Sequence, residues 1–476
     1  MTQAVRTGAG ARLFGPLIYG LILVSSAAQF ALVPVMPVYA HRLGLSGFQQ
    51  GMLLGATGLA TLAVSVPAGT LADRLGARRI TLAAGLLMAV ATAAQACAGS
   101  FPALLAARLA FGAGYGIVWT AGLCWLVEVA GPATLGGSVA SAGVGGVAGP
   151  AASGALSQHL GLAVPLLIGA AGFAVITAWL AALAVPPGPA ASRPAASRPA
   201  ASRPAASRPA ASSPAASRPA AGVRLRAAAR DRRIIGAAAA VVTAGLSTGV
   251  CALLVPAELH AAGASPGRIG LDFAAAGILF AIGSALTAAT GRRAVNLPVI
   301  RGGILAMIAG LSLGVLSAAP SALIVMLCAT TAARSVLWTV SYPMAAAAAE
   351  RGGAGLGAAV GLLNGIWAAT AVLGPLSAGL AAEHLGARAA FGLTVAACAA
   401  ALAVTAAAPM ARMPSWSRMK QRAAAGAAEP TGSSLVTAEE PGHDVIDTPP
   451  AVPAATSHAG RSPGTSEGAV VTEGAR

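Results

Sequence analysis

The sequence predicts an all-α polytopic membrane protein with twelve transmembrane helices in two pseudo-symmetric six-helix bundles. Three observations predict it. Of the 476 residues, 56% are apolar and only 9% charged, with a mean hydropathy of +0.76, whereas a soluble domain carries roughly 25% charged residues to meet water. The apolar positions gather into twelve runs, each long enough to supply the ~20 helical residues that cross a ~30 Å hydrocarbon core. The front and back halves of the chain also repeat one another. A soluble multidomain enzyme is excluded at this stage.

Taken in order, the runs lie at 14–40, 48–71, 80–98, 102–128, 137–158 and 162–186, then at 234–258, 267–290, 298–318, 320–347, 355–381 and 387–409. Arg6 and Arg12 precede the first run as they would in a signal peptide. The run is too long for a signal h-region and leads straight into further spans, so it reads as a retained helix. The resulting organisation is a cytoplasmic N-terminus (1–13), an N-terminal bundle (14–185), a spacer (186–233), a C-terminal bundle (234–410) and a tail (411–476). In the spacer the pentapeptide Pro-Ala-Ala-Ser-Arg recurs from Pro189 to Arg218, with Ser213 in place of one arginine. Proline at every fifth position removes backbone donors and favours extended chain, and arginine opposes burial, so a solvated, semi-rigid tether is expected. A contact with anionic lipid is the alternative. After Pro414 the tail turns polar and acidic and is expected to be disordered.

The net charge of +16 would suit nucleic acid, but the positions of the charges point elsewhere. With both termini cytoplasmic, inner segments hold 25 of the 30 bases, outer loops hold Arg42, Arg268 and Arg388, and Arg108 and Arg334 fall within spans. This is the positive-inside bias of a multi-pass protein of the cell membrane. The charge therefore faces a lipid leaflet, and no nucleic-acid partner is expected. Five scattered cysteines inside apolar runs, all expected to be buried, form neither a disulfide framework nor a metal-ligand set. A single lysine among 30 bases, with heavy Ala and Gly use, suggests a GC-rich bacterial source.

Pro37, His41, Gly44, Ser46 and Gly51 reappear as Pro256, His260, Gly263, Ser265 and Gly270, all at an offset of 219. Gly149, Pro150, Gly154, His159, Leu160 and Gly161 reappear as Gly374, Pro375, Gly379, His384, Leu385 and Gly386, at an offset of 225. The loop after helix 1 thus maps onto the loop after helix 7, and helix 5 onto helix 11. Parallel repeats of six helices with a central site between them are a transporter plan.

Between helices 2 and 3 the chain reads Gly69-Thr-Leu-Ala-Asp73-Arg74-Leu-Gly76-Ala-Arg78-Arg79. Gly69 permits close helix approach and Gly76 a tight turn, while Asp73 at the membrane edge needs a cation or a helix N-terminus. The loop arginines and Glu128 at the inner end of helix 4 are candidate partners. This stretch resembles the signature loop of the major facilitator superfamily, G-x-L-x-D-R-x-G-R-R, with Ala77 standing before the arginine pair. The resemblance implies the major facilitator fold over about 14–410. It also implies that Asp73 and the arginines gate the cytoplasmic side by docking onto helix 11 in the outward-open state. The corresponding loop after helix 8 keeps only Gly291-Arg292-Arg293.

Helix 4 carries Arg108-x-x-Phe111-Gly112-x-Gly114, similar to the family's R-x-x-Q-G-x-G pattern, in which the arginine is implicated in proton coupling. An arginine at this depth costs ~2.5–3.5 kcal/mol on insertion scales and needs a polar interior. A structural role, bonded to backbone carbonyls, is the alternative. Arg334 on helix 10 mirrors it loosely, lying 14 residues from the start of its run against six for Arg108. Helix 5 carries Gly145-x-x-x-Gly149-Pro150-x-x-Ser153-Gly154, which resembles the family's antiporter motif with Ser153 for one glycine and implies export by exchange with protons. Ordinary small-residue packing, or the repeat itself, is the competing reading. No carboxylate stands on helix 1, which has Gln29. Asp272, one turn from Arg268, is therefore a coupling candidate as well as a surface ion pair. Gln29, Tyr115, Trp119, Trp338, Tyr342, Asn364 and Trp367 are candidates to line a cavity for an amphipathic solute.

The expected function is secondary active transport by alternating access, with proton-coupled export of a hydrophobic or amphipathic small molecule favoured over uniport or symport of a metabolite. A receptor or scaffold on the same fold is disfavoured by the complete gating loop. No nucleophile–base pair, metal cluster or phosphate loop suggests an enzyme. No cofactor or metal is expected, and a monomer in the lipid bilayer is.

Overall fold

In the computed structural model the described residues are 2–131, 134–183, 231–352 and 356–407. The spacer lies outside them except for its last three residues, and the tail expected at 411–476 lies outside them entirely.

The described chain builds twelve membrane-crossing helices. In the first half these are α1 (Thr2–Ala31, resumed as Met36–Leu43), α2 (Gly47–Leu75), α3 (Ala77–Cys97), α4 (Phe101–Ile117, continued through Val118–Gly122 to Leu123–Ala130), α5 (Leu135–Leu160) and α6 (Ala163–Ala182). The second half repeats the set as α7 (Arg232–Ala261), α8 (Pro266–Ala289), α9 (Leu297–Leu316), α10 (Pro320–Gly352), α11 (Leu356–Leu385) and α12 (Ala387–Ala407). Capping follows the repeat. Ser46 opens α2 with a reciprocal Gln49 box, and Ser265, its counterpart at the offset of 219, accepts from the Arg268 N–H at the start of α8. Gly76, at φ 90°, makes the tight turn between α2 and α3.

Each bundle has its own apolar centre. Phe14, Ile18, Phe111 and Phe173 are fully buried in the first, as are Ile300, Met307, Leu337 and Phe391 in the second. The outer faces are equally apolar: Leu86, Val90, Ile168, Val175, Leu271 and Leu286 are each more than half exposed. Such a girdle would drive aggregation in water and is at home against lipid tails. Cys97 and Cys124 also lie on exposed surface, which corrects the expectation that all five thiols are buried.

Three departures from the expected runs have local causes. The first run, expected continuous over 14–40, begins at Thr2 and breaks at 32–35. Pro34 has no N–H for the Phe30 carbonyl, so the Val33 N–H takes it at 3.1 Å and the helix stops. Helix α2 bends by 49° between Ser65 and Pro67. In α4, Val118–Gly122 forms a π-helical turn, an insertion common at functional sites.

The bundles meet along two pseudo-equivalent seams, α2 with α11 and α5 with α8, whose close contacts among the described residues lie toward one end. A Cβ on Gly51 would strike the Pro375 carbonyl; a Cβ on Gly270 would strike the Pro150 carbonyl. Gly47 packs on Gly379, and Pro266 on Gly154. Gly58 abuts Val372, as Gly277 abuts Val147. Every α2–α11 pair converts into its α8–α5 counterpart by adding 219 on one side and subtracting 225 on the other. At the opposite end, which carries the 74–79 loop, nothing lies within 4 Å of a Cβ built on Gly136, Gly361 or Gly365. The molecule is sealed at the end of the 44–46 and 262–265 turns and parted at the other.

Candidate transport site and gates

Arg108 is 1% exposed, deep between α4 and α1. One guanidinium nitrogen donates to the Gln29 carbonyl at 2.8 Å and to Gln29 Oε1 at 3.2 Å. The carbonyl is available because the shift of Val33 at the break leaves it without its helical donor. Ser153 on α5 donates to the Ala31 carbonyl at the same break. The ring of Phe111, where the family pattern usually has Gln, lies 5.2 Å from the Arg108 guanidinium carbon. Arg108 Nε and its other terminal nitrogen are buried without a partner among the described residues.

Arg334 occupies the corresponding place in the second bundle. It donates to Thr248 Oγ1 on α7 at 2.8 Å, and Thr248 is Gln29 displaced by 219. The correspondence between the two arginines, loose when counted from the run ends, is close in space. Arg334 is only half-buried, and its guanidinium carbon lies 5.3 Å from the ring of Phe280 on α8.

The structure brings four cavity candidates of the second bundle together. Trp338 stands 5.2 Å from Tyr342 and 4.6 Å from Trp367, ring to ring, and Tyr342 Oη donates to Asn364 Oδ1 at 2.8 Å. Arg334, Trp338 and Tyr342 are spaced by four on α10, a single stripe running toward the parted end. In the first bundle Phe111, Tyr115 and Trp119 form a looser row with 6.2 and 6.1 Å between centroids. Trp119 Nε1 is buried without a partner among the described residues. No hydrogen bond or ring pair among the described residues joins the two sets.

At the parted end Asp73, Arg74 and Arg79 are exposed, and so is Glu128. Arg78 instead caps the end of α6, donating to the carbonyls of Ala181 at 2.9 Å and Leu183 at 3.2 Å. Neither the loop arginines nor Glu128, the partners expected for Asp73, pairs with it among the described residues. Asp272 forms the one ion pair among the described residues, Arg268 Nε to Oδ1 at 3.1 Å. Its carboxylate is buried while the Arg268 side chain is 65% exposed, in the second turn of α8 near the sealed end.

The helix 5 motif serves two neighbours. Gly145 and Gly149 lie on the α1 backbone, at the Leu23 and Ala27 carbonyls, and Pro150 and Gly154 meet α8 across the seam. Sequence reasoning missed Glu383, whose Oε2 accepts from the Phe48 N–H at 3.0 Å, so that α11 caps the start of α2 across the sealed end. The offset of 225 could have flagged it, since Gln158, which meets Gly267 on the other seam, is its counterpart. Among the described residues no cluster of His, Cys, Asp or Glu has the arrangement to hold a metal ion.

Comparison with known proteins agrees with this architecture. Residues 18–257 match the family model described as Major Facilitator Superfamily. An uncharacterised MFS-type transporter of Schizosaccharomyces pombe is 31% identical over 160 residues, 31% of this chain and 36% of that one. The quinolone resistance protein NorA of Staphylococcus aureus is 36% identical over 86 residues, 18% of this chain and 22% of that protein. The matches thus span well under half the length of these curated relatives. Among solved structures, an inward-facing, unoccupied bacterial homologue of the human lysosomal transporter Spinster aligns with a TM-score of 0.66 at 16% identity, over 84% of this chain and 97% of that one. The nucleoside transporter NupG aligns at 0.63 and 13% identity, over 83% and 98%. Twelve apolar spans, duplicated seams and a family match over half the sequence make this chain a membrane-spanning member of the Major Facilitator Superfamily.

Proposed function

We propose that the chain exports a hydrophobic or amphipathic small molecule in exchange for protons, by rocking its two bundles about a central cavity. One observation carries the reading. The antiporter-like spacing on α5 exceeds what the repeat requires: Gly149, Pro150 and Gly154 recur on α11, but the position of Gly145 is taken there by Thr370. Gly145 lets α5 settle onto the Leu23 carbonyl of α1 beside the cavity. The similarity to a quinolone resistance protein supports the same direction. With both termini cytoplasmic, the parted end faces the cytoplasm, where an exporter loads. Asp73, Arg74, Gly76 and Arg79 then form the gate that closes over the loaded site.

Uptake by uniport or symport is the second reading. It is favoured by the lack of a carboxylate near mid-membrane among the described spans, where Asp272 and Glu258 both sit toward the sealed end. Inverted vesicles decide between them, with 1-naphthoate, 1-naphthol and ethidium as anionic, neutral and cationic probes. Export predicts accumulation of at least one probe, collapsed by a protonophore. Accumulation of none, or accumulation that survives the protonophore, would reject proton-driven export.

A further inference from the structure

We infer that the C-terminal half of the cavity is a binding site for an aromatic organic monoanion, its carboxylate held by Arg334 and its ring by Trp338 and Trp367. The inference rests on the reading of the central cavity as the substrate site and adds the chemical class.

The two pseudo-equivalent arginines have different work to do. Arg108 caps a broken helix: α1 stops at Ala31, and the Gln29 carbonyl takes its guanidinium. In the other half α7 runs unbroken over Arg232–Ala261, because Leu253 stands where Pro34 breaks α1, and the carbonyl that Pro256 deprives of its donor, that of Ala252, takes no bond from Arg334. Arg334 makes one hydrogen bond, to a neutral hydroxyl, and no carboxylate lies within ion-pair distance of it among the described residues. Its remaining nitrogens are not sealed off, unlike those of Arg108. A cation in a membrane interior, with accessible donors and no counter-charge, is stabilised by an incoming anion, and the guanidinium fork matches a carboxylate.

The surroundings restrict that anion. Phe280 beside the guanidinium and the edge-to-face pair of Trp338 and Trp367, one turn further along, add aromatic surface and no second cation. One guanidinium neutralises one charge, which disfavours phosphate esters and dicarboxylates. A flat apolar body with a single carboxylate fits both features. Tyr342 and Asn364, already bonded to each other, close the aromatic stripe toward the parted end.

Equilibrium dialysis of the purified full-length protein tests this with radiolabelled 1-naphthoate, its methyl ester and 1-naphthylmethylamine. Naphthoate should bind about 10- to 100-fold more tightly than the ester or the amine. Arg334→Gln should erase that preference, and Trp338→Leu should weaken naphthoate and ester alike. Thr248→Val, which only releases the guanidinium, should weaken naphthoate alone and serves if Arg334→Gln does not fold. Equal binding of the three probes, or a preference untouched by both the Arg334 and Thr248 variants, would overturn the assignment. Binding has no direction, so intact naphthoate selectivity with failed proton-driven accumulation would reject export and leave this site standing, and the reverse result would do the opposite.

Discussion

Alanine at Gly51 and Gly270 should open the sealed end. In the observed state each new methyl would overlap the backbone carbonyl of a proline on the facing helix, Pro375 for Gly51 and Pro150 for Gly270. Neither carbonyl can rotate away, because each belongs to a helix interior. Overpacking of this kind costs about 1–3 kcal/mol. The cost falls only on the state in which the seam is closed, so it appears as a shift of about 5- to 150-fold in the ratio of the two conformations. The gain in helix propensity from Gly to Ala, about 1 kcal/mol, is shared by both states and cancels. The two seams lie on opposite sides of the molecule, so their effects should multiply, to about 25-fold or more in the double variant. Spin labels at Arg42 and Arg388, exposed positions on the two bundles at this end, report the separation by pulsed electron resonance once the native cysteines are replaced. A longer-distance population should appear in each single variant and grow in the double. Gly365→Ala, at a position with nothing within 4 Å, must not open the sealed end. An unchanged distance distribution in the double variant, with Gly51→Val equally silent, would refute the reasoning.

Other expectations concern the gates and the break in α1. Asp73→Asn should impair transport in vesicles while leaving membrane insertion and folding intact; unchanged flux would remove the gating role. Glu383→Gln weakens the cap on the Phe48 N–H and should shift the same spin-label distances as Gly51→Ala, in the same direction and by less. Ser153→Ala leaves the Ala31 carbonyl buried without its donor, a cost of about 1–3 kcal/mol, to be seen as a lower Tm of the detergent-solubilised protein. Ser153→Thr, which keeps the hydroxyl, should recover part of the loss.

The fold was legible because the repeat and the packing share one cause. Close approach of two helix backbones demands glycine, or a proline whose neighbour is glycine, at fixed intervals, and a parallel duplication imposes the demand twice. Gly51 with Gly270, and Pro150 with Pro375, therefore stand out in the sequence, and the same residues form the seams. What could not be read were interactions set by a partner far away in the chain. Nothing near Arg108 announces that it will meet the Gln29 carbonyl, because that acceptor exists only once Pro34 has broken the helix. Glu383 reads as a polar residue at a helix end until α2 is placed beside it. The partner expected for Asp73 is absent here, and a sequence carries no record of which conformation is populated.

Among the divergences between the duplicated halves, the break in α1 is the one that separates the surroundings of Arg108 from those of Arg334. In a strict repeat Arg108 and Arg334 would be interchangeable, each bonded to the helix that opens its bundle. Pro34 has no proline counterpart: the residue at the offset of 219 is Leu253, and α7 stays whole. The break in α1 therefore ties Arg108 to two acceptors on Gln29, where it is buried. The same absence in α7 leaves Arg334 with a threonine hydroxyl and open donors above an aromatic stripe. Leu253→Pro should then bring the halves back toward symmetry, by freeing carbonyls on α7 that compete for the Arg334 guanidinium. Naphthoate affinity should fall in that variant even though no residue of the cavity has been changed.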